Sequence, residues 1–290
     1  MTLIDFPYAL AGAILGGLMV GSFLNVLIFR LPKMMERQWA RDYQEWSGSP
    51  ETPQTPYNLA VPRSSCPVCA HPIRWYENIP VVSYLALAGK CSACKSPISI
   101  RYPAVELITA FFFAAAVLHF GLTWVALAWC AFAALLISLF LIDFDTQLLP
   151  DDLTYLLLWG GISVSLLGWG ISLASSLYGA IFGYMSLWSV TRLYYLLRGK
   201  IGMGNGDFKL LAALGAWFGV EYLFALILLS SLVGSVIGAL LLLAGRLANK
   251  DIPIAFGPFL AGAGLLAMLV GPDKLRDWAP FAFPLDVFLR

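Results

Sequence analysis

Uncharged, apolar runs dominate the chain, at 6–29, 107–142, 153–191, 210–220, 222–245 and 252–272. A helix needs roughly 20 apolar residues to cross a bilayer. Runs 107–142 and 153–191 each hold two such lengths, with natural breaks at His119-Phe120-Gly121 and Gly168-Trp169-Gly170. The pattern therefore predicts an all-α polytopic membrane protein with about eight transmembrane helices. The 210–220 run is short, and a short helix is tolerable if neighbouring helices bury it or it faces a water-filled cavity.

One sizeable polar stretch, 31–103, interrupts the pattern. It opens with an amphipathic piece around Met34–Trp46 and continues as a loop rich in Pro, Ser and Thr from Ser47 to Pro62. Cys66-Pro67-Val68-Cys69 follows, and Cys91-Ser92-Ala93-Cys94 comes after 21 intervening residues. Two CxxC pairs at this separation predict a closed tetrahedral zinc site made by Cys66, Cys69, Cys91 and Cys94. Such a site is structural and can staple a domain too small to build its own core. His71 then reads as a bystander, Cys130 as a packing residue within an apolar span, and His119 as an interfacial residue.

Lys and Arg set the orientation. Nine lie from Arg30 to Arg101, four from Arg192 to Lys209, and two more at Arg246 and Lys250, while the breaks near 121, 170 and 221 have none. With eight spans every basic connection falls on one side, the cytoplasm, and both termini fall outside. Lys274, Arg276 and Arg290 are exceptions, in a tail that also carries Asp273, Asp277 and Asp286. The N-terminus has Asp5 and no basic stretch ahead of its long apolar run, so it reads as a membrane anchor and not as a cleavable signal. Gly12-xxx-Gly16 and Gly17-xxx-Gly21 within that run predict close helix packing.

Composition agrees: 60% of residues are hydrophobic, 12% are charged and the mean hydropathy is +0.79. A soluble domain is about 25% charged. The net charge of +1 gives no basic field for a nucleic-acid partner.

Carboxylates bordering apolar runs carry the candidate chemistry, because an acid at membrane depth is costly. Gly202-Met203-Gly204-Asn205-Gly206-Asp207 has three glycines that permit positive φ and close approach of another segment. Asp207 then stands at the start of an apolar helix, within reach of its N-terminal dipole. Asp143, Asp145, Asp151 and Asp152 form a second cluster, and spacing alone does not choose among them. Asp143 ends an uncharged run and lies deepest. Asp151 and Asp152 suit the N-terminus of the next helix, and Asp145 stays open. Two carboxyls brought together can share a proton and activate a water. A proton-coupled transporter is the alternative that intramembrane acids allow. Against it, the halves show no evident repeat, and a transporter has no use for a four-cysteine domain.

Gly204-Asn205-Gly206-Asp207 resembles the GxGD element of the type IV prepilin peptidases, which are intramembrane aspartyl proteases, and Asp143 with Pro150-Asp151 resembles their partner-aspartate element. Further similar stretches are Gly21–Pro32, Glu36–Trp39, Trp75–Leu85 with Gly89-Lys90, Arg101–Glu106 and Ile254–Leu260. Departures are Tyr155 after Thr154, where the family often has Thr-Leu-Pro, and Ala255, where it commonly has proline. The resemblance implies Asp143 and Asp207 as the catalytic pair. It implies cleavage of type IV prepilins and type II secretion pseudopilins after the glycine that ends a basic leader, at the cytoplasmic face of the bacterial inner membrane. Because the cysteine domain is present, it also implies N-methylation of the new terminus with S-adenosylmethionine. The residues themselves reveal no methyl-donor site, since 31–103 has neither a βαβ pattern nor a GxGxxG turn. The expected organisation is 1–30 as the first transmembrane helix, 31–103 as the cytoplasmic zinc domain, 104–272 as the membrane-embedded peptidase core and 273–290 as a tail.

Overall fold

The computed structural model describes residues 5–49, 55–200, 202–244 and 255–271, with 274, 276–277 and 283. Arg246, Lys250, Ile254, Asp273, Asp286 and Arg290, which entered the readings above, lie outside these residues. Among the described residues there are helices and no strands, apart from two isolated bridges, Ser65 with Pro72 and Lys90 with Pro97. The chain divides into two compact units, Met1–Leu122 and Thr123–Arg290.

The first unit is built on α1 (Asp5–Ser47) and α3 (Arg101–Phe120). α1 is one continuous helix of 43 residues, so the amphipathic piece predicted at 34–46 is its second half. Pro32 lies inside it. Proline there withholds an N–H and costs about 3 kcal/mol. The residues after it are strong helix formers, tied by Gln38 donating to Asp42 at 2.8 Å and Arg41 donating to Gln38 at 2.6 Å. α1 and α3 meet where there is no side chain to separate them. A Cβ on Gly17 would lie 2.5 Å from Ala110 Cα, and one on Gly21 would lie 2.6 Å from Glu106 Cα. Gly12 and Gly16 have nothing within 4 Å. Only the second of the two small-residue pairs makes the predicted contact.

Two charged residues at the edge of this helix pair tie the polar region to it. Arg30, 7% exposed, donates to the carbonyls of Asn58 at 2.9 Å and Pro62 at 2.7 Å. Glu106, also buried, accepts the Val81 N–H at 2.7 Å, at the start of the short helix α2 (Val82–Ala86). A buried charge persists only when it is paired or hydrogen-bonded. Each of these two anchors one end of the polar domain.

In the second unit α4 (Trp124–Thr146), α5 (Asp151–Leu166), α6 (Leu173–Arg198), α8 (Val220–Leu243) and α9 (Gly257–Val270) accompany α7 (Asn205–Phe218). α7 is only 14 residues long, yet every residue from Leu210 to Phe218 is buried. Small residues let its neighbours come close. Gly179 on α6 meets the Gly215 carbonyl, and a Cβ on Gly183 would lie 2.7 Å from the Leu211 carbonyl. Trp217 Nε1 donates to Leu157 on α5 at 2.8 Å, and Ser176 on α6 donates to Ala216 at 2.8 Å. The short run at 210–220 is thus buried among helices, as its length requires.

Among the described residues each predicted apolar run is helical over most of its length, and the breaks near 121 and 170 fall at the predicted places. Among the described residues four helices are long and apolar enough to cross a membrane by themselves, namely α1, α3, α4 and α8. α5, α7 and α9 have 16, 14 and 14 residues.

Candidate functional sites: a carboxyl pair and a four-thiol cluster

α4 ends one turn beyond Asp143. Gln147 turns left-handed at φ 56° and its N–H caps the Asp143 carbonyl at 2.9 Å. α7 begins at Gly204, whose carbonyl accepts the Asp207 N–H at 3.3 Å. Both carboxyls are buried, with Asp143 4% and Asp207 8% exposed. Leu149 joins their surroundings, since its side chain packs on Gly206, next to Asp207, and against Gly257, which lies on the Asp143 carboxyl. Asp145, Asp151 and Asp152 are exposed. Of the acids singled out in the sequence, the fold brings Asp143 and Asp207 together.

The start of α9 completes the surroundings. Gly257 places its backbone against Asp143, so that a Cβ on it would run into the Asp143 carboxyl and lie 3.1 Å from Leu149 Cδ1. Leu149 also packs on Gly206, where an added Cβ would fall 2.8 Å from the leucine Cβ. The glycines of the 202–206 turn therefore serve close approach. Their expected left-handed conformation is not used: Gly204 is extended at φ −76°, and neither Gly202 nor Gly206 has positive φ. Asp143 Oδ2 is buried without a hydrogen-bond partner among the described residues. Such an oxygen is costly unless a proton, a water or a substrate group satisfies it.

Lys209, two residues after Asp207, pairs with a different acid. Its Nζ holds both oxygens of Asp151, at 2.7 and 2.8 Å. Asp151 and Asp152 sit in the first turn of α5, but the capping position is Pro150, so they face the helix dipole without capping through a side chain.

The four cysteines of the polar domain converge. Their sulfurs all lie within 4.8 Å of one another, with Cys66–Cys94 at 3.8 Å and Cys69–Cys91 at 4.0 Å. Ligands at about 2.3 Å around one zinc would stand about 3.8 Å apart. The two CxxC turns are built alike. Cys66 N–H donates to His71 O at 2.9 Å and Ala70 N–H to Cys66 O at 2.9 Å; Cys91 N–H donates to Ser96 O at 2.9 Å and Lys95 N–H to Cys91 O at 3.1 Å. Ala70 and Lys95 occupy matching left-handed positions at φ 56° and 60°. The N–H groups of Cys69 and then Val68 draw the Cys66 thiol down to about 6, while Cys69, against the lowering pull of the His71 N–H, is pushed up to about 11 by burial and the neighbouring thiols, so a metal must displace its proton. The four residues are positioned to hold a metal ion. Cys130 is buried within α4, away from this domain in sequence, as a packing residue should be.

Sequence reasoning quoted Arg30 and Glu106 only as parts of longer elements and missed what each does. A lone charge at the border of an apolar run could have flagged both. Gly257-Pro258 reads in the sequence as a helix break at the cytoplasmic face, beside the active site; that its backbone lies on the Asp143 carboxyl exists only once α9 meets α4.

Known proteins resemble this chain along nearly all of its length. The bacterial Peptidase A24 N-terminal domain model matches residues 15–120, and the type IV leader peptidase family model matches residues 130–239. The prepilin leader peptidase/N-methyltransferase of Pseudomonas aeruginosa is 53% identical over 270 residues, 93% of each chain. The protein of the same name from Aeromonas hydrophila is 49% identical over 263 residues, 90% of each chain. That from Neisseria gonorrhoeae is 47% identical over 272 residues, 93% of each chain. No solved structure matches the chain. With two family models covering its two halves and close relatives covering nearly all of its length, the chain belongs to the type IV leader peptidase family.

Proposed function

We propose that this membrane protein cleaves the leader from type IV prepilins and pseudopilins after glycine and then methylates the new amino terminus. The observation that carries the reading is the meeting of two buried carboxyls, from the end of α4 and the start of α7, in a chain of this family. That its relatives are prepilin leader peptidase/N-methyltransferases speaks against the transporter alternative.

Asp143 and Asp207 act as one pair that shares a proton. The ionised member takes a proton from water as the water oxygen attacks the scissile carbonyl, and the protonated member polarises that carbonyl oxygen. The tetrahedral intermediate then collapses, the C–N bond breaks, and the leaving amine takes up a proton from the pair. Because the two titrate together, the proton belongs to the pair and not to either residue. Gly257 sets how the Asp143 carboxyl is aimed. Gly257→Ala should therefore cut cleavage about a hundredfold at normal protein levels, since a displacement of about 1 Å can cost that much. Initial rates of leader release check it, and a near-normal rate would show that α9 does not position Asp143.

The four thiolates of Cys66, Cys69, Cys91 and Cys94 hold zinc, for which a set of four soft ligands near tetrahedral spacing is the usual choice. The metal would fasten the two CxxC turns and leave the chemistry to other groups. S-adenosylmethionine would supply the methyl group. In this reading 1–30 is the first span, 31–103 the zinc domain, 104–272 the peptidase core and 273–290 a tail.

Eight spans in the bacterial inner membrane would put the zinc domain and both aspartates at the cytoplasmic face. The distribution of Lys and Arg supports this. α5, α7 and α9 would reach across with the help of their neighbours, as short buried helices can. Reporter fusions at Ser49 and at the C-terminus should report opposite sides of the membrane. Fusions reporting the same side would contradict the eight-span topology.

A further inference from the structure

Beside the four-thiol cluster the polar domain has a cleft of about 440 Å³. That is within the usual range for a small-molecule site, about 300–1,000 Å³. Its wall includes His71, Arg74, Tyr76 and Glu77 on one side and Ser92 with Ala93, from inside the second CxxC turn, on the other. The remaining wall comes from α2, with Ala86 exposed toward solvent. We propose that this cleft seats the methyl donor, S-adenosylmethionine. The inference rests on the methyltransferase reading and gives that activity a place.

The donor has a carboxylate, a sulfonium cation, a ribose diol and a flat adenine, and it needs complementary groups for each. The cleft offers a cation, an acid and an apolar surface. Arg74 presents a guanidinium suited to a carboxylate; one of its nitrogens is fixed by donating to Tyr76 Oη at 2.5 Å. Glu77 presents an acceptor for hydroxyls or a counter-charge for a cation. The Arg74 N–H, at 2.9 Å, and next the Ser92 hydroxyl hold its carboxyl below the usual carboxylate range. His71 Nε2 stands 3.7 Å from the same carboxylate, too far for a hydrogen bond, and is buried without a hydrogen-bond partner among the described residues, so it is left over as a polar group in the wall. Tyr76, edge-on to Trp75 with ring centroids 5.7 Å apart, and the apolar Ala86, Leu87 and Ala93 provide surface for an aromatic base. These polar groups are organised before any ligand arrives, which lowers the cost of binding.

The cleft also depends on the metal cluster. His71 accepts the Cys66 N–H through its carbonyl, and Ser92 and Ala93 lie between Cys91 and Cys94. Both walls hang from the two CxxC turns. A metal that fastens those turns would shape the cleft without touching the methyl group. In the transfer, the lone pair of the neutral pilin amine attacks the methyl carbon. The C–S bonding pair returns to sulfur, turning the sulfonium into a thioether, and the resulting ammonium loses its proton to solvent.

The test uses full-length, zinc-loaded protein in detergent with two variants. Ala86→Trp fills the cleft and removes no polar contact; Arg74→Ala removes the anion receptor. Binding of S-adenosylhomocysteine is measured by equilibrium dialysis, together with zinc content, donor KM, prepilin KM and leader release. Each variant should weaken dialysis binding and raise the donor KM by about tenfold or more, equal to about 1.4 kcal/mol. Zinc content should stay unchanged and leader release should stay within about twofold. Unchanged donor binding in both variants, in protein that methylates, would overturn the assignment. So would a raised prepilin KM with an unchanged donor KM, which would make the cleft a seat for the pilin. Wild-type protein that binds no donor and yields no methylated product would overturn the methyltransferase reading along with the cleft.

Discussion

Asp143→Asn and Asp207→Asn should each abolish leader release, by about 10²–10⁴-fold or more, while the protein still inserts and keeps its metal. General acid–base groups contribute factors of this size, and a pair that shares a proton fails when either member loses its carboxyl. The two variants should be equally inactive, and the double variant should be no worse than either single one, because residues acting as a unit are not additive. Asp151→Asn is the control. Its carboxylate is about half exposed and is held by Lys209 at 2.7 Å, at the surface. An exposed ion pair contributes about 0–1 kcal/mol, so this variant should keep most of its cleavage. Comparable loss in Asp151→Asn and Asp143→Asn would shift the partner role away from the deeper residue.

Cys91→Ser should separate the two activities. One lost thiolate leaves three ligands, and structural zinc sites contribute about 10–16 kcal/mol of binding that doubles as folding energy. Bound zinc and most N-methylation should be lost, because the two CxxC turns and the cleft between them depend on the cluster. Cleavage should survive in measurable part. The carboxyls lie in the second unit, whose helices pack through Gly179, Gly215 and Trp217. Zinc analysis and mass spectrometry of the pilin product read both effects in one preparation. Equal collapse of both activities in correctly inserted protein would mean that the zinc domain takes part in cleavage too. Unchanged zinc would refute the four-cysteine site.

Much of this molecule could be read before its structure was known, for identifiable reasons. The breaks near 121 and 170 lie inside uncharged runs, yet the double length of those runs and the glycines at 121, 168 and 170 make them visible in one dimension, and the helices end there. The CxxC pairs announce a cluster because two sulfurs three residues apart on a tight turn have few other uses. The short 210–220 run had to be buried, and α7 is. What stayed hidden depends on contacts between distant segments. No local rule shows that Pro32 would be carried inside a 43-residue helix, which depends on how well the residues beyond it sustain helix. Lys209 reads as a cation near Asp207 in sequence, yet it pairs with Asp151 across the fold. The glycines before Asp207 allowed either positive φ or close approach; the fold uses the second, and that the neighbour at Gly206 is Leu149 could not be read locally. Gly257 and the cleft beside His71 exist only as products of packing.

The central claim is that the carboxyls brought together from α4 and α7 cut a prepilin. The most direct test incubates the purified protein in detergent with a full-length prepilin and follows the substrate by intact-mass spectrometry. The account predicts leader-free pilin, cut after the glycine, from the wild-type protein, and uncut prepilin from Asp143→Asn and Asp207→Asn. Leader release by either variant at a near-normal rate, or none by a correctly inserted wild-type protein, would contradict it.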